Sequence, residues 1–284
     1  MTSRSVLITG ASSGIGAACA LHLDAQGWQV FAGVRRDEDG AALRGQASNR
    51  LRPILMDVVD DESVASAAKE IDAALTPGGL TAVVNNAGIA LGGPVEYLPL
   101  DFWQRQLEVN VIGQLRVTQA VMPLIRKTAS GGRIVFMGSV SGRIAAPMMG
   151  PYSASKYALE AVAETMRHEL LGSGIKVVLI EPGAVKTPIW AKGRTTTDEI
   201  EALLPPEALA QYADALATMR RAIGTQETRG VAPLAVAQVV ERALTSARPK
   251  ARYPVGADAK AAAIMTRVAP DSVRDRLIRK VAAG

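Results

Sequence analysis

The sequence predicts an α/β fold: a doubly wound sheet of about seven parallel strands, flanked by helices and carrying a helical lid. Three observations predict it. Short runs rich in Val, Ile and Leu alternate along the chain with longer helix-forming stretches. Those runs are continuously apolar rather than alternating, as strands covered on both faces must be. Each closes on Gly, Asp or Asn, residues that turn a chain out of a strand. Strand–helix–strand repetition requires crossovers, and right-handed crossovers build a parallel sheet.

Taken in order, "SVLITG" (5–10) is the first strand and "GIGAACALHLDAQ" the first helix. "WQVFAGV" (28–34) and "LRPILMDV" (51–58) are the next two strands. The helix "DESVASAAKEIDAAL" is expected to open with Asp61 as its N-cap and to stop before Pro77-Gly78-Gly79. "TAVVNNAG" (81–88) leads to one long helix from about Leu100 to Thr128. "GRIVFMGS" (132–139) leads to another, from about Tyr152 to Leu171. "IKVVLIEPG" (175–183) and an edge strand "ARYPVGA" (251–257) complete the sheet. No break in composition divides residues 1–284, which read as a single domain. Residues 188–231, rich in Ala, Thr and charge, read as helices of a substrate lid, against the competing reading of a disordered surface insertion. Residues 258–284 read as a C-terminal helical extension.

Composition removes several functions. The chain is 48% apolar and 21% charged, ordinary for a globular protein with a sizeable core. Its net charge of +5 is not gathered into a basic block interleaved with aromatics, so nucleic-acid binding has no support. One cysteine, Cys19, excludes an internal disulfide and a cysteine zinc cluster. The two histidines, His22 and His168, have no ligand partner at a metal-binding spacing, so no metal is expected and both read as structural. "MTSRS" before the first apolar run does not fit a signal peptide, and no apolar run approaches the about 18 residues of a membrane span. The expectation is a reduced, cytoplasmic protein.

"TGASSGIG" runs from Thr9 to Gly16, directly between the first strand and the first helix. Gly10, Gly14 and Gly16 leave a turn without Cβ atoms, so backbone N–H groups around Ser12, Ser13 and Ile15 can approach a pyrophosphate at a helix N-terminus. No Gly-Lys-Ser/Thr follows, which excludes a P-loop. The G-x-x-x-G-x-G spacing departs from the commoner G-x-G-x-x-G, but its physics is that of a Rossmann-type dinucleotide site. Such sites place an acidic residue about 20 positions on for the ribose hydroxyls. Here Val34 is followed by Arg35 and Arg36, which suit a 2′-phosphate and hence NADP(H). Asp37 is close enough to leave NAD(H) open. Asp57 and Val58 would border the adenine.

Tyr152 and Lys156, four apart, share one face of a helix. A phenol titrates near 10, and an ammonium one turn away favours its anion, which makes the pair a candidate acid–base couple. "GSVSG" is not a nucleophile elbow, because Val140 rather than Ser stands at its centre, so a serine hydrolase is excluded.

Five motifs in order (Thr9-Gly10-x3-Gly14-Ile15-Gly16, Asn85-Asn86-Ala87-Gly88, a Ser after the fifth strand, Tyr152-x3-Lys156 and Pro182-Gly183-x3-Thr187) resemble the short-chain dehydrogenase/reductase family over roughly residues 5–190. The resemblance implies that Ser139, thirteen residues before Tyr152, bonds the substrate oxygen, with Ser141 as the neighbouring candidate. It implies Tyr152 as general acid or base, Lys156 as the residue that lowers its pKa and bonds the nicotinamide ribose, and Asn110 as the residue that orients a relay water. Asn86, Ala87 and Gly88 would shape the cofactor wall, and Pro182, Gly183, Val185 and Thr187 would meet the nicotinamide end. Tyr157, beyond the lysine, is expected to pack.

The function expected is hydride transfer between NADP(H) and an apolar ketone, aldehyde or secondary alcohol; a non-catalytic dinucleotide-binding sensor or scaffold is the alternative. Substrate contacts are expected from Ala90, Leu91, Ala145 to Met149 (Met148 and Met149 above all), Ile189 and Trp190. The tail after Pro249 resembles the steroid- and retinol-type branch of the family. The last segment carries Val273, Leu277, Ile278 and Val281 at helical spacing, which suits packing on the protein itself or contact with a membrane surface. The family resemblance also implies a homodimer or homotetramer.

Overall fold

A computed structural model describes residues 4–75, 78–128 and 131–276, with the side chains of 190–196, 226, 227 and 229 outside that description. Seven parallel strands stand in the order β3-β2-β1-β4-β5-β6-β7. They are β1 (Ser5–Ile8), β2 (Gln29–Val34), β3 (Leu51–Leu55), β4 (Ala82–Asn85), β5 (Arg133–Met137), β6 (Lys176–Pro182) and β7 (Arg252–Val255). All seven fall inside the apolar runs, each shorter than its run because the closing Gly, Asp and Asn residues belong to the turns.

The apolar runs are continuous because successive side chains enter two different cores. Val6 and Ile8, Ala82 and Val84, and Val135 and Met137 pack on one face with α1 (Gly14–Ala25) and α9 (Pro233–Thr245). Leu7, Val83, Ile134 and Phe136 pack on the other with α3 (Asp61–Ala74), α5 (Gly113–Arg126) and α6 (Gly150–Glu169). A third apolar cluster, built around Leu98, Met148, Ile200, Leu204, Ala208 and Leu216, holds α7 (Ile189–Leu203) and α8 (Pro206–Arg229) against the body of the protein. These two helices occupy the segment read as a lid.

The structure corrects two sequence expectations, the N-cap at Asp61 and the packing of Tyr157, and adds detail at two other places. The N-cap of α3 is Asp60, whose carboxylate accepts from the N–H groups of Glu62 and Ser63. Asp61 is its first helical residue and pairs with Arg116. The long helix expected from Leu100 to Thr128 is present and continuous to Arg126, but it contains a π-turn at Glu108–Ile112 between α4 (Leu100–Leu107) and α5. An additional helix, α2 (Asp37–Arg44), follows the arginine pair, with three acidic residues in its first turn favouring the helix dipole. Tyr157 does not pack; it is 44% exposed, and its hydroxyl donates to the carbonyl of Arg143. The C-terminal extension forms α10 (Ala257–Val268) and runs to residue 276; Leu277, Ile278 and Val281 lie outside the described residues. Among the described residues, no helix is long and apolar enough to cross a membrane.

Candidate active site

The strand order reverses between β1 and its neighbour β4, and a crevice opens beyond the carboxyl ends of strands on either side of such a reversal. Here that point is tied together by side chains. Thr9 Oγ1 accepts from the N–H groups of Asn86 (3.0 Å) and Ala87 (2.9 Å). Asn86 Nδ2 donates back to the carbonyls of Thr9 (2.9 Å) and Gly10 (3.2 Å). A cleft of about 970 Å³ lies above it, at the upper end of the range for small-molecule sites and roomy enough for a dinucleotide with a substrate.

The cleft has a polar end and an apolar end. At the first, Gly10, Ser12, Ser13, Gly14 and Ile15 line the turn into α1. Gly10 stands at φ +64°, and a Cβ there would lie 2.8 Å from the Ala87 Cα. Gly16 does not line the cleft; a Cβ on it would lie 2.2 Å from the Gly10 carbonyl oxygen, so its role is to let the turn fold under itself. Arg35, Asp57 and Val58 line the same end. Arg36 does not line the cleft: its guanidinium donates to both carboxylate oxygens of Asp39, at 2.9 and 2.8 Å, and lies mostly in solvent. Asn86, Ala87 and Gly88 after β4, and Pro182, Gly183, Val185 and Thr187 at and beyond the end of β6, also line the cleft. This Cβ-free turn, an arginine beyond β2 and an open crevice at the switch point fit a bound dinucleotide.

At the inner end, the sequence-predicted triplet comes together. Ser139 follows β5 in extended conformation and is buried, with its Oγ accepting from the Ser141 N–H at 3.1 Å. Of the two serines it is Ser139 whose side chain acts on the Tyr152 hydroxyl. Burial pushes the phenol above its ordinary pKa, and the Ser139 side chain draws it partly back. Lys156 is buried, its ammonium donating to the Met137 carbonyl at 2.7 Å and standing 5.6 Å from the centre of the Tyr152 ring. Desolvation lowers its pKa to about 8.

Asn110 lies behind this group rather than in the cleft. The π-turn places it in the protein interior, where its Oδ1 accepts from the Ile89 N–H (2.9 Å). Its Nδ2 donates to the Ile89 carbonyl (3.0 Å) and to Ser155 Oγ (3.1 Å). Asn110 therefore joins the loop after β4 to the helix that carries Tyr152 and Lys156.

The apolar end contains Met148, Met149 and Ile189, as expected, and Ile89 in place of Ala90 and Leu91. Leu91 is buried beneath the loop, its N–H held by Gln106 Oε1 at 2.7 Å. Ala145 does not line the cleft, although Ala146 and Pro147 do. Trp190 belongs to α7, and its side chain lies outside the described residues. The sequence reading missed Ala215, Met219, Ala222 and Ile223 of α8, and Asp258 and Met265 of α10. The α8 set recurs at i, i+4, i+7 and i+8, a helical stripe that periodicity could have revealed. Cys19 takes no part: it is buried in the core, which pushes its thiol up to about 12. Among the described residues, no group of three His, Cys, Asp or Glu side chains could hold a metal ion.

A dinucleotide cradle opening onto a serine, a tyrosine and a buried lysine defines a nicotinamide-dependent oxidoreductase. Comparison with known proteins agrees. The family model described as short chain dehydrogenase matches residues 4–198, and the chain belongs to that family. An NADPH-dependent 3-dehydrocapnine reductase of Ornithobacterium rhinotracheale is 34% identical, over 98% of this chain and 95% of the relative. Human retinol dehydrogenase 5 is 35% identical over 96% of this chain and 87% of its own, in keeping with the likeness of the tail to the retinol-type branch. A solved short chain dehydrogenase of Burkholderia cenocepacia, in complex with NADP, superposes with a TM-score of 0.75 at 25% identity and covers 97% of this chain and 98% of its own.

Proposed function

We propose that the protein is an NADP(H)-dependent oxidoreductase acting on an apolar ketone or aldehyde, or on the corresponding alcohol. The observation that carries this is the placing of Ser139, Tyr152 and Lys156 in the same cleft as the Gly10–Ile15 turn and Arg35, beneath a wall of methionine and aliphatic side chains. A nicotinamide cofactor bound in the cradle supplies or takes the hydride. Ser139 Oγ would hold the substrate oxygen, and Tyr152 would give that oxygen its proton in reduction and remove it in oxidation. Lys156 would stabilise the phenolate with its ammonium, which the Met137 carbonyl holds beside the ring. Asn110 would act as a positioning residue for both walls. The wall formed by Met148, Met149, Ile189, Met219, Ile223 and Met265 favours an apolar substrate over a sugar or an acid. An absorbance screen with NADPH and NADH against ketones and alcohols of graded size tests this reading; turnover of none of them would end it. The non-catalytic sensor finds no support, since Tyr152 and Lys156 are both present and in place.

NADP(H) over NAD(H) is supported by Arg35 in the cleft lining and by the cofactors named for the two relatives above. Arg35→Ala is expected to raise the KM for NADPH about tenfold or more and that for NADH less than about twofold, as loss of a phosphate partner should. An equal effect on both cofactors would remove the 2′-phosphate assignment.

A homo-oligomer is also proposed. Leu100, Leu107 and Ile112 leave apolar side chains exposed along α4 and the π-turn, a surface suited to a second copy. Light scattering of the purified protein should give the mass of a dimer or tetramer, and Leu107→Lys with Ile112→Lys should reduce it. A monomeric parent would contradict the proposal.

A further inference from the structure

Among the described residues, Met148 is the one non-glycine residue with a positive φ, at 66°. A long side chain in the left-handed region costs free energy, so the surroundings must hold it there. They do so through two consecutive glycines. The Gly93 N–H donates to the Met148 carbonyl at 2.7 Å, and Gly93 bridges in parallel to Met149. Gly92 makes room for that carbonyl: a Cβ there would lie 2.4 Å from the Met148 oxygen.

Met148 meets three parts of the site at once. Its backbone is bonded to the loop after β4. Its side chain is buried, 6% exposed, in the apolar cluster with Ile200 and Leu204 of the α7 segment and Ala208 and Leu216 of α8. Its successor Met149 is the N-cap of α6, three residues before Tyr152, and accepts from the Ser153 N–H at 2.8 Å. The lid also supplies the apolar wall of the cleft, through Met219. Met219 Cε and Met149 Sδ are, after the Met148 oxygen, the atoms nearest to where a Gly92 Cβ would stand.

We propose that Met148, held left-handed by the Gly92–Gly93 turn, is a positioning residue that seats the lid over the cleft through its side chain and starts the Tyr152 helix through its backbone, and so sets the length of apolar substrate accepted. The two tasks are separable, because glycine can perform the second without the first. The substrate-length part rests on the apolar-carbonyl reading above; the seating of the lid does not.

The test uses Met148→Gly, Met148→Leu and Gly92→Ala in the full chain, with NADPH as cofactor and a series of ketones of increasing alkyl length. Met148→Gly keeps the left-handed backbone and loses the buried side chain. It is expected to raise the KM of the longest ketone about tenfold more than that of the shortest. Amides of α7 and α8 should exchange with deuterium about fivefold faster or more, and those of α6 at the parent rate. Met148→Leu, which restores an apolar side chain, should return lid exchange to within about twofold of the parent. Gly92→Ala displaces the Met148 carbonyl and with it the start of α6, so kcat should fall about tenfold or more for every ketone.

The proposal is overturned if lid exchange in Met148→Gly equals the parent's or is not restored by leucine. It is equally overturned if Met148→Gly affects short and long ketones alike, or if Gly92→Ala turns over at the parent rate. If the parent reduces none of the ketones, the apolar-carbonyl reading falls, and the exchange comparison still decides whether Met148 seats the lid.

Discussion

Tyr152→Phe is expected to lower kcat for carbonyl reduction by about 10²–10⁴-fold while NADPH affinity stays within about twofold of the parent. The substitution removes the hydroxyl that meets Ser139 and keeps the ring that stands beside the Lys156 ammonium. Binding and packing should persist, and proton transfer should not. Because burial raises the phenol's pKa, Tyr152 stays protonated through neutral pH. The reduction rate of the parent should therefore be level there and decline only as the phenol ionises in alkaline solution. Oxidation needs the phenolate, so its rate should climb with pH over the same range. Lys156, lowered to about 8, supports that anion with a full charge only below that pH, which limits the climb on the alkaline side. A Tyr152→Phe variant within tenfold of the parent, or oxidation that slows as pH rises through neutrality, would contradict the assignment.

The strands and the proposed catalytic triplet were legible in the sequence for the same reason: each is written in residue types that burial or chemistry narrows sharply. A strand such as β5 shows no alternation from Ile134 onward because its two faces enter two cores, and a continuous apolar run serves both. Tyr152 and Lys156 share a helical face by spacing alone. What was hidden depends on conformation that residue type does not encode. The π-turn at Glu108–Ile112 inserts one residue into a helical period, so helical spacing alone does not place Asn110 in the interior, between Ile89 and Ser155. Arg35 and Arg36 are identical in the sequence. Only the formation of α2, which brings Asp39 beneath Arg36, separates the cleft arginine from the solvent one. The left-handed Met148 was invisible, since methionine carries no preference for that region; the signal lay more than fifty residues away, in Gly92-Gly93.

Gly10→Val is expected to weaken NADPH binding by about 10- to 100-fold, and a parallel variant, Gly27→Val, shows why. Both glycines have positive φ, +64° and +82°, so a β-branched side chain pays a similar conformational cost of about 1–2 kcal/mol at each. Their surroundings differ. Nothing lies within 4 Å of a Cβ on Gly27, which ends α1 in open space. A Cβ on Gly10 would lie 2.8 Å from the Ala87 Cα and 3.2 Å from its nitrogen. That neighbour cannot retreat, because its N–H is held by Thr9 Oγ1, and Asn86 is bonded to Thr9 and Gly10 on the same side. The turn itself must move, and with it the N–H groups that would face the pyrophosphate. Both variants should melt below the parent, since both carry the left-handed strain, but Gly27→Val should bind NADPH as the parent does. Equal affinities in the two variants would mean that the contact with Ala87 does not shape the cradle. A large loss confined to Gly10→Val would locate the determinant of cofactor binding in the switch point between β1 and β4, where Thr9 and Asn86 hold the two strands in register.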